Sequence, residues 1–241
     1  MKTIDIINNI INRLPAGYVF TYSDFYQQVN KIDALTKALS RLLMEGKIRK
    51  LSPGRFYKPR ITEFGELGPE PFQIVKDILE KDDKIIGYLT GISVYNQLGL
   101  TTQVSSIIQI GVNDLRKNIT RGIYKIGFIK QQNRIVKENI PLLRILDAIR
   151  FIKEIPDATI DQSCKVIGSL IKNLDKEEQS KLIKLALKYN PATRALTGSI
   201  LENISGGKEI EILFKSLNPS SSYAFGIKQK SLPNKQKWSI I

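Results

Sequence analysis

Histidine is missing from the sequence altogether, and a large block of chemistry goes with it. A Ser-His-Asp triad, a His-paired cysteine and every histidine metal site are excluded. Carboxylates alone can still catalyse, but no Asp-x-Asp or Glu-x-x-x-Asp cluster stands beside a Gly-rich phosphate loop. Asp82-Asp83, between Lys81 and Lys84, reads as a charged turn. Asp77, Asp82, Asp83 and Asp114 lack the spacing by which one strand pair would hold a metal. An enzyme is therefore the least expected class, and no cofactor or metal is expected. Cysteine is almost as scarce: Cys164 stands alone, so no intrachain disulfide can form, and it reads as a small buried apolar group on a helix. No run of eighteen apolar residues is present, so no membrane span is expected. The opening Met1-Lys2-Thr3-Ile4-Asp5 has a cation but no small-residue cleavage site or unbroken apolar core, so no signal peptide is expected. These absences fit a reducing cytoplasm. No internal repeat or low-complexity segment is evident.

What is abundant is positive charge. The 241 residues carry a net +14, with 42% hydrophobic and 25% charged residues, a globular composition with room for one large or two ordinary domains. Residues 1–60 hold eleven Lys/Arg against four Asp/Glu, residues 61–207 twenty against seventeen, and residues 208–241 six against two. Half the excess thus falls in the first quarter of the chain. A biased genome rich in Lys, Ile and Asn would raise charge everywhere, which the uneven distribution argues against. A basic segment joined to a near-neutral one suggests that one part meets a polyanion.

The basic segment has a legible order. Thr3–Leu14 reads as an amphipathic helix with Ile7, Ile10, Ile11 and Leu14 on one face, Thr3 as N-cap and Pro15-Ala16-Gly17 as its stop. Tyr18-Val19-Phe20 is extended, and a helix starts at Thr21 or Ser23. After a break at Asn30–Asp33, a second helix runs from Ala34 to Glu45, its apolar stripe Leu35, Ala38, Leu39, Leu42 and Leu43. Thr36, Lys37, Ser40 and Arg41 fall on the opposite face, where hydroxyls and cations can reach phosphates and base edges. Lys47–Leu51, the turn at Ser52-Pro53-Gly54, and Arg55–Lys58 form a hairpin bearing Arg49, Lys50, Arg55 and Lys58, with Tyr18–Phe20 as a candidate third strand. Helix, turn, helix and basic hairpin is the order of a winged helix-turn-helix. The alternative is an ordinary solvated amphipathic helix.

The remainder divides into a linker at 61–71, rich in Gly, Pro and Glu, a domain at 72–207 and a basic tail at 208–241. Phe72–Leu79 is expected to be helical, as is Ile92–Leu100 closed by Gly99. Ser106–Val112 and Gly122–Ile129 are expected strands. Four helices follow, from Leu142 to a stop at Pro156, Ser163–Lys172, Lys176–Lys188 and Pro191–Glu202, the last with proline at its start. Trp238, the single tryptophan, reads as a packing anchor. The fold class is α+β: a winged helix-turn-helix at 1–60, then a mixed α/β and mainly helical C-terminal domain.

Two stretches carry a family resemblance: the winged helix with Tyr22-Ser23-Asp24-Phe25 and Leu39-Ser40-Arg41-Leu42, and the run Gly87-Tyr88-Leu89-Thr90-Gly91 through Asn96-Gln97-Leu98-Gly99-Leu100-Thr101-Thr102-Gln103. In this order they resemble the AbiEi-type antitoxins of bacterial toxin–antitoxin and abortive-infection loci, in the DUF6088 branch. The resemblance spans roughly Ile4 to Lys130. It implies a repressor that binds inverted repeats in its own promoter and counteracts a nucleotidyltransferase toxin through its C-terminal domain, without a stable complex. Carried over by position, Thr36, Lys37, Ser40 and Arg41 would be recognition-helix residues, and Arg49, Arg55 and Lys58 wing contacts. Tyr22 and Ser23 would meet phosphate at a helix N-terminus. Two copies per operator are expected, as a dimer or a cooperative pair. The competing class is a protein-interaction module whose docking face would expose apolar residues.

Overall fold

The computed structural model describes residues 3–29 and 31–241. The Thr3 side chain, expected as a cap, and Asn30, expected to open the break, lie outside the described groups. The fold is α+β. It divides into two compact units, Met1–Ile78 with Ile119–Lys125, and Leu79–Asn118 with Ile126–Ile241.

The first unit opens with α1 (Thr3–Arg13), β1 (Val19–Thr21) and α2 (Ile32–Met44), followed by the hairpin of β2 (Arg49–Ser52) and β3 (Arg55–Tyr57). β1 pairs antiparallel with β3, giving a three-stranded sheet in the order β1-β3-β2, so the Tyr18–Phe20 segment does supply the third strand. The two helices and the sheet share one core: Ile7 and Ile11 from α1, Leu35, Leu39 and Leu42 from α2, and Phe20, Phe25, Ile48 and Phe56. Each leucine buried there contributes about 1.5–3 kcal/mol. Phe20 anchors the aromatic part, edge-on to Phe25 at 5.7 Å and stacked with Phe56 at 6.0 Å.

Two segments differ from expectation. Tyr22–Phe25 is a single 3-10 turn rather than an α-helix. Asp24 accepts hydrogen bonds from the Thr21 amide at 2.7 Å and the Thr21 hydroxyl at 2.9 Å, which closes the turn locally. With aromatic and β-branched neighbours of weak helix propensity, nothing extends it. The stretch expected to be a linker, 61–71, carries the hairpin of β4 (Arg60–Thr62) and β5 (Gly65–Leu67), and α3 (Pro71–Leu79) begins at its end. α3 covers the backbone of β1: the Val19 amide donates to Gln73 Oε1 at 3.3 Å, and Lys76 Nζ donates to the Val19 carbonyl at 2.7 Å. An edge strand is thereby capped.

In the second stretch of chain come β6 (Glu80–Lys81), β7 (Lys84–Ile85), β8 (Gly87–Thr90), α4 (Ile92–Gln97), β9 (Ile107–Val112), β10 (Ile119–Arg121) and β11 (Tyr124–Lys130). The larger sheet has the order β10-β11-β9-β8. Gly111 lies opposite Tyr88 in the β8–β9 register, and a Cβ there would run into the Tyr88 ring. Helices α5 (Ile140–Arg150), α6 (Ile160–Lys172), α7 (Lys176–Ala186) and α8 (Pro191–Ile204) follow. α6 starts three residues before the expected Ser163, because Thr159 and Gln162 form a reciprocal capping box. α5 is buried on nearly every side, from Leu142 to Ile149, as suits the central helix of a bundle.

The 208–241 segment does not hang free. It forms the short α9 (Glu211–Lys215) and sends Leu213, Ile227, Leu232, Trp238 and Ile240 into the core of α5–α8. Trp238 is the expected packing anchor: its ring lies against Gly198 of α8 and its indole N–H donates to Glu202 Oε2 at 2.8 Å.

Candidate nucleic-acid interface

α2 separates its faces as the spacing predicts. Leu35, Ala38, Leu39 and Leu42 are buried, while Thr36, Lys37, Ser40 and Arg41 are exposed together on the other side. Lys37 has no partner among the described residues. Arg41 bonds Glu45 one turn on, Nε to Oε1 at 2.9 Å, with its own side chain 69% exposed. Hydrogen bonds from Lys47 and then Arg41 hold the Glu45 carboxyl below its usual value. A pair this exposed is weak and can exchange for another acceptor.

The hairpin cations divide differently. Arg49 donates to the Gly46 carbonyl and to Glu66 Oε2, both at 2.7 Å. Arg55 pairs with Asp77 at 2.8 Å, a carboxylate shared with the buried Arg121. Burial pushes the Asp77 carboxyl up, but the hydrogen bonds from Arg121 and Arg55 outweigh it and leave it lowered. Lys58 donates to the carbonyls of Asn12 and Leu14 at 2.9 and 3.0 Å, at the end of α1, where a cation satisfies open carbonyls. The three cations expected as wing contacts are thus held within the unit. Lys50, on the same hairpin, is exposed and has no partner among the described residues. The expected phosphate contact at Tyr22 and Ser23 meets a carboxylate, since Asp24 already takes the Thr21 amide. Tyr22 is half-buried, its ring edge-on to Phe56 at 5.5 Å, and Ser23 lies 2.6 Å from the Thr21 hydroxyl.

Grouping the charges by unit changes the balance read along the chain. The first unit has fourteen Lys/Arg against eight Asp/Glu and the second twenty-three against fifteen. The acids that moderate the first unit include Glu66 and Asp77, the partners of Arg49 and Arg55.

The second unit holds a polar cluster around Asp147, which is fully buried in the middle of α5. Tyr88 and Thr90 donate to Oδ2 at 2.7 and 2.9 Å, and Tyr189 donates to Oδ1 at 2.9 Å. Gln131 Nε2 in turn donates to the Tyr88 and Tyr189 hydroxyls at 2.9 and 2.8 Å, so both tyrosines accept on one side and donate on the other. No cation pairs with this carboxylate among the described residues. Desolvation raises its pKa, against the hydrogen bonds from Tyr88, Tyr189 and Thr90. The cluster joins β8, the end of β11, α5 and the loop after α7, and its geometry is that of a fully satisfied structural network. Among the described residues no group of three or more His, Cys, Asp or Glu is placed to hold a metal ion, and no helix is long and apolar enough to cross a membrane.

No curated protein matches the chain. Among solved structures it is similar to the RV2827C protein from Mycobacterium tuberculosis, with a TM-score of 0.59 at 12% identity over 92% of this chain and 84% of that one, a likeness of fold alone. A family model covers residues 6–183, which takes in the first unit and the second as far as α7, and the chain therefore belongs to DUF6088, a family of unknown function.

Proposed function

We propose that the chain is a cytoplasmic DNA-binding repressor of the antitoxin class. In this reading the first unit is a winged helix whose α2 enters the major groove of inverted repeats in the chain's own promoter. The observation that carries the reading is α2 itself. Its apolar face is fixed in a core, and its opposite face leaves Thr36, Lys37, Ser40 and Arg41 exposed on a rigid scaffold. Lys50 supplies a free cation on the hairpin beside it. The antitoxin half, action against a nucleotidyltransferase toxin through the second unit without a stable complex, rests on the resemblance to AbiEi-type proteins. No catalytic role is assigned.

A protein-docking role has its own support. Ile61 and Phe64 on the β4–β5 hairpin are 72% and 97% exposed, and Met44 at the end of α2 is 83% exposed. Exposed apolar side chains of this size are what a docking face would offer.

The test is binding of the purified protein to its own upstream DNA and to a scrambled duplex, across a salt series. Preference for the upstream site with a steep fall in affinity as salt rises is the expected result. Weak binding indifferent to sequence would overturn the repressor and leave the docking reading.

A further inference from the structure

A cavity of about 400 Å³ opens in the second unit where the end of β11, the end of α5 and the start of α8 meet. Lys130, Arg150, Lys188 and Arg194 line it, and no carboxylate does. These cations come from three elements, β11, α5 and α8, and from the loop after α7. None of them forms an ion pair among the described residues, and Arg150 meets the charge of the buried Asp147 only at longer range. Arg150 makes only a 3.4 Å contact to the Lys130 carbonyl and lies 4.8 Å from the Phe151 ring. Arg194 Nε is buried and has no hydrogen-bond partner among the described residues.

The wall behind the cations is fixed. Gln131 and Tyr189, 4% and 7% exposed, belong to the Asp147 network and have their polar atoms committed to it. Like charges gathered in one concavity repel one another, and an unsatisfied guanidinium N–H is costly to bury. Both penalties are relieved by one kind of ligand, a compact anion with several oxygens. The volume lies within the range of small-molecule sites. The form is concave, whereas a duplex backbone is met along an extended surface.

We infer that this cavity binds the polyphosphate group of a small molecule. Arg194 and Arg150 would act as planar donors and Lys130 and Lys188 as point charges. A nucleoside triphosphate and a free phosphate chain share this chemistry, and the site is separate from the α2 face proposed for DNA.

Isothermal titration of the full-length protein with ATP, GTP and tripolyphosphate, at constant ionic strength, tests the assignment. Lys130, Arg150 and Lys188 are exposed, so Lys188→Ala combined with Arg150→Ala should fold normally. One-to-one binding is expected, weakened by about tenfold or more in that double variant and unchanged by Lys37→Ala with Arg41→Ala on α2. Tighter binding of ATP or GTP than of tripolyphosphate would identify a nucleotide as the source. Equal binding would identify the phosphate chain. Absence of binding at millimolar concentration would overturn the site. So would equal weakening by the α2 variant, which would trace the anion to diffuse positive charge.

Discussion

The two units handle ionised groups in opposite ways. In the first, carboxylates sit near the surface and hold cations: Glu66 takes Arg49, and Asp77 takes Arg55 and Arg121. In the second, Asp147 is fully buried and is held by three hydroxyls with no ion pair among the described residues, Arg150 acting on it only at longer range. The first arrangement sorts cations into those committed to the fold and those left for a partner, and its stability rests mainly on the one pair with a buried member, Asp77 with Arg121. The second is a cost in desolvation that only complete hydrogen bonding offsets, so it concentrates stability at one residue.

The sharpest way to break the comparison is to remove one carboxylate from each unit. Asp147→Ala would leave the Tyr88 and Thr90 hydroxyls without their acceptor and Tyr189 with only the Leu143 carbonyl, at 3.5 Å. The tyrosines cannot simply turn, because Gln131 already donates to both. At about 1–3 kcal/mol for each orphaned group, a loss of roughly 3–5 kcal/mol is expected. Asp77→Ala takes the carboxylate from the buried Arg121, which keeps only the Ile74 carbonyl, and should cost less, about 1–3 kcal/mol. Urea denaturation of both variants reads the difference. Similar losses would mean that the buried network is not the stability centre of its unit.

Next in size is an effect on binding. Replacing Lys37 and Arg41 together by Ala should weaken DNA binding about tenfold and lower the salt slope by up to about two, one for each phosphate no longer neutralised. Filter binding or fluorescence anisotropy from low to moderate salt measures it. An unaltered slope would move the interface off the free face of α2.

How far the sequence alone leads can be argued from the same residues. The two faces of α2 were legible because a 3.6-residue period assigns burial without knowledge of the partner. The β2–β3 hairpin was legible from Pro53-Gly54 between β-forming runs, and Trp238 as an anchor from its size and apolarity. What was hidden depends on distant partners. Arg49 meets Glu66, 17 residues on, Arg55 meets Asp77, 22 residues on, and Lys58 meets Asn12, 46 residues back. No local pattern tells a committed cation from a free one. The donors to Asp147 lie 42 to 59 residues away, so along the chain it is one polar position in an apolar helix. The β4–β5 hairpin was masked by glycine, proline and glutamate, which suit a linker equally well. The cations of the second-unit cavity come from three elements and a loop, so no single stretch looks basic.

A smaller effect separates free cations from committed ones on a single hairpin. Lys50→Ala should lower the salt slope by about one and leave the melting temperature unchanged. Arg55→Ala should do the reverse, leaving the slope and costing about 1 kcal/mol or less. Thermal melts and the same binding series, run on both variants, give the four numbers. A fall in slope for Arg55→Ala would show that its pair with Asp77 opens on DNA.

The smallest effect is a difference in sign with pH. Asp77 has a lowered pKa in the folded protein, so its contribution to stability is present above the unfolded carboxylate value near 3.9 and is lost as pH falls through the folded value. Asp147 has a raised one. Its burial costs nothing extra below the unfolded value. The cost then grows as pH rises and is complete above the folded value, because the folded state holds its proton longer than the unfolded state does. Asn variants remove each titration. The stability of wild type relative to Asp77→Asn should therefore increase with rising pH, and relative to Asp147→Asn it should decrease. Chemical denaturation from about pH 2 to about pH 8 gives both slopes. Slopes of the same sign would mean that the hydroxyls around Asp147 outweigh its desolvation, and that the carboxylates of the two units differ in their partners but not in the form they favour.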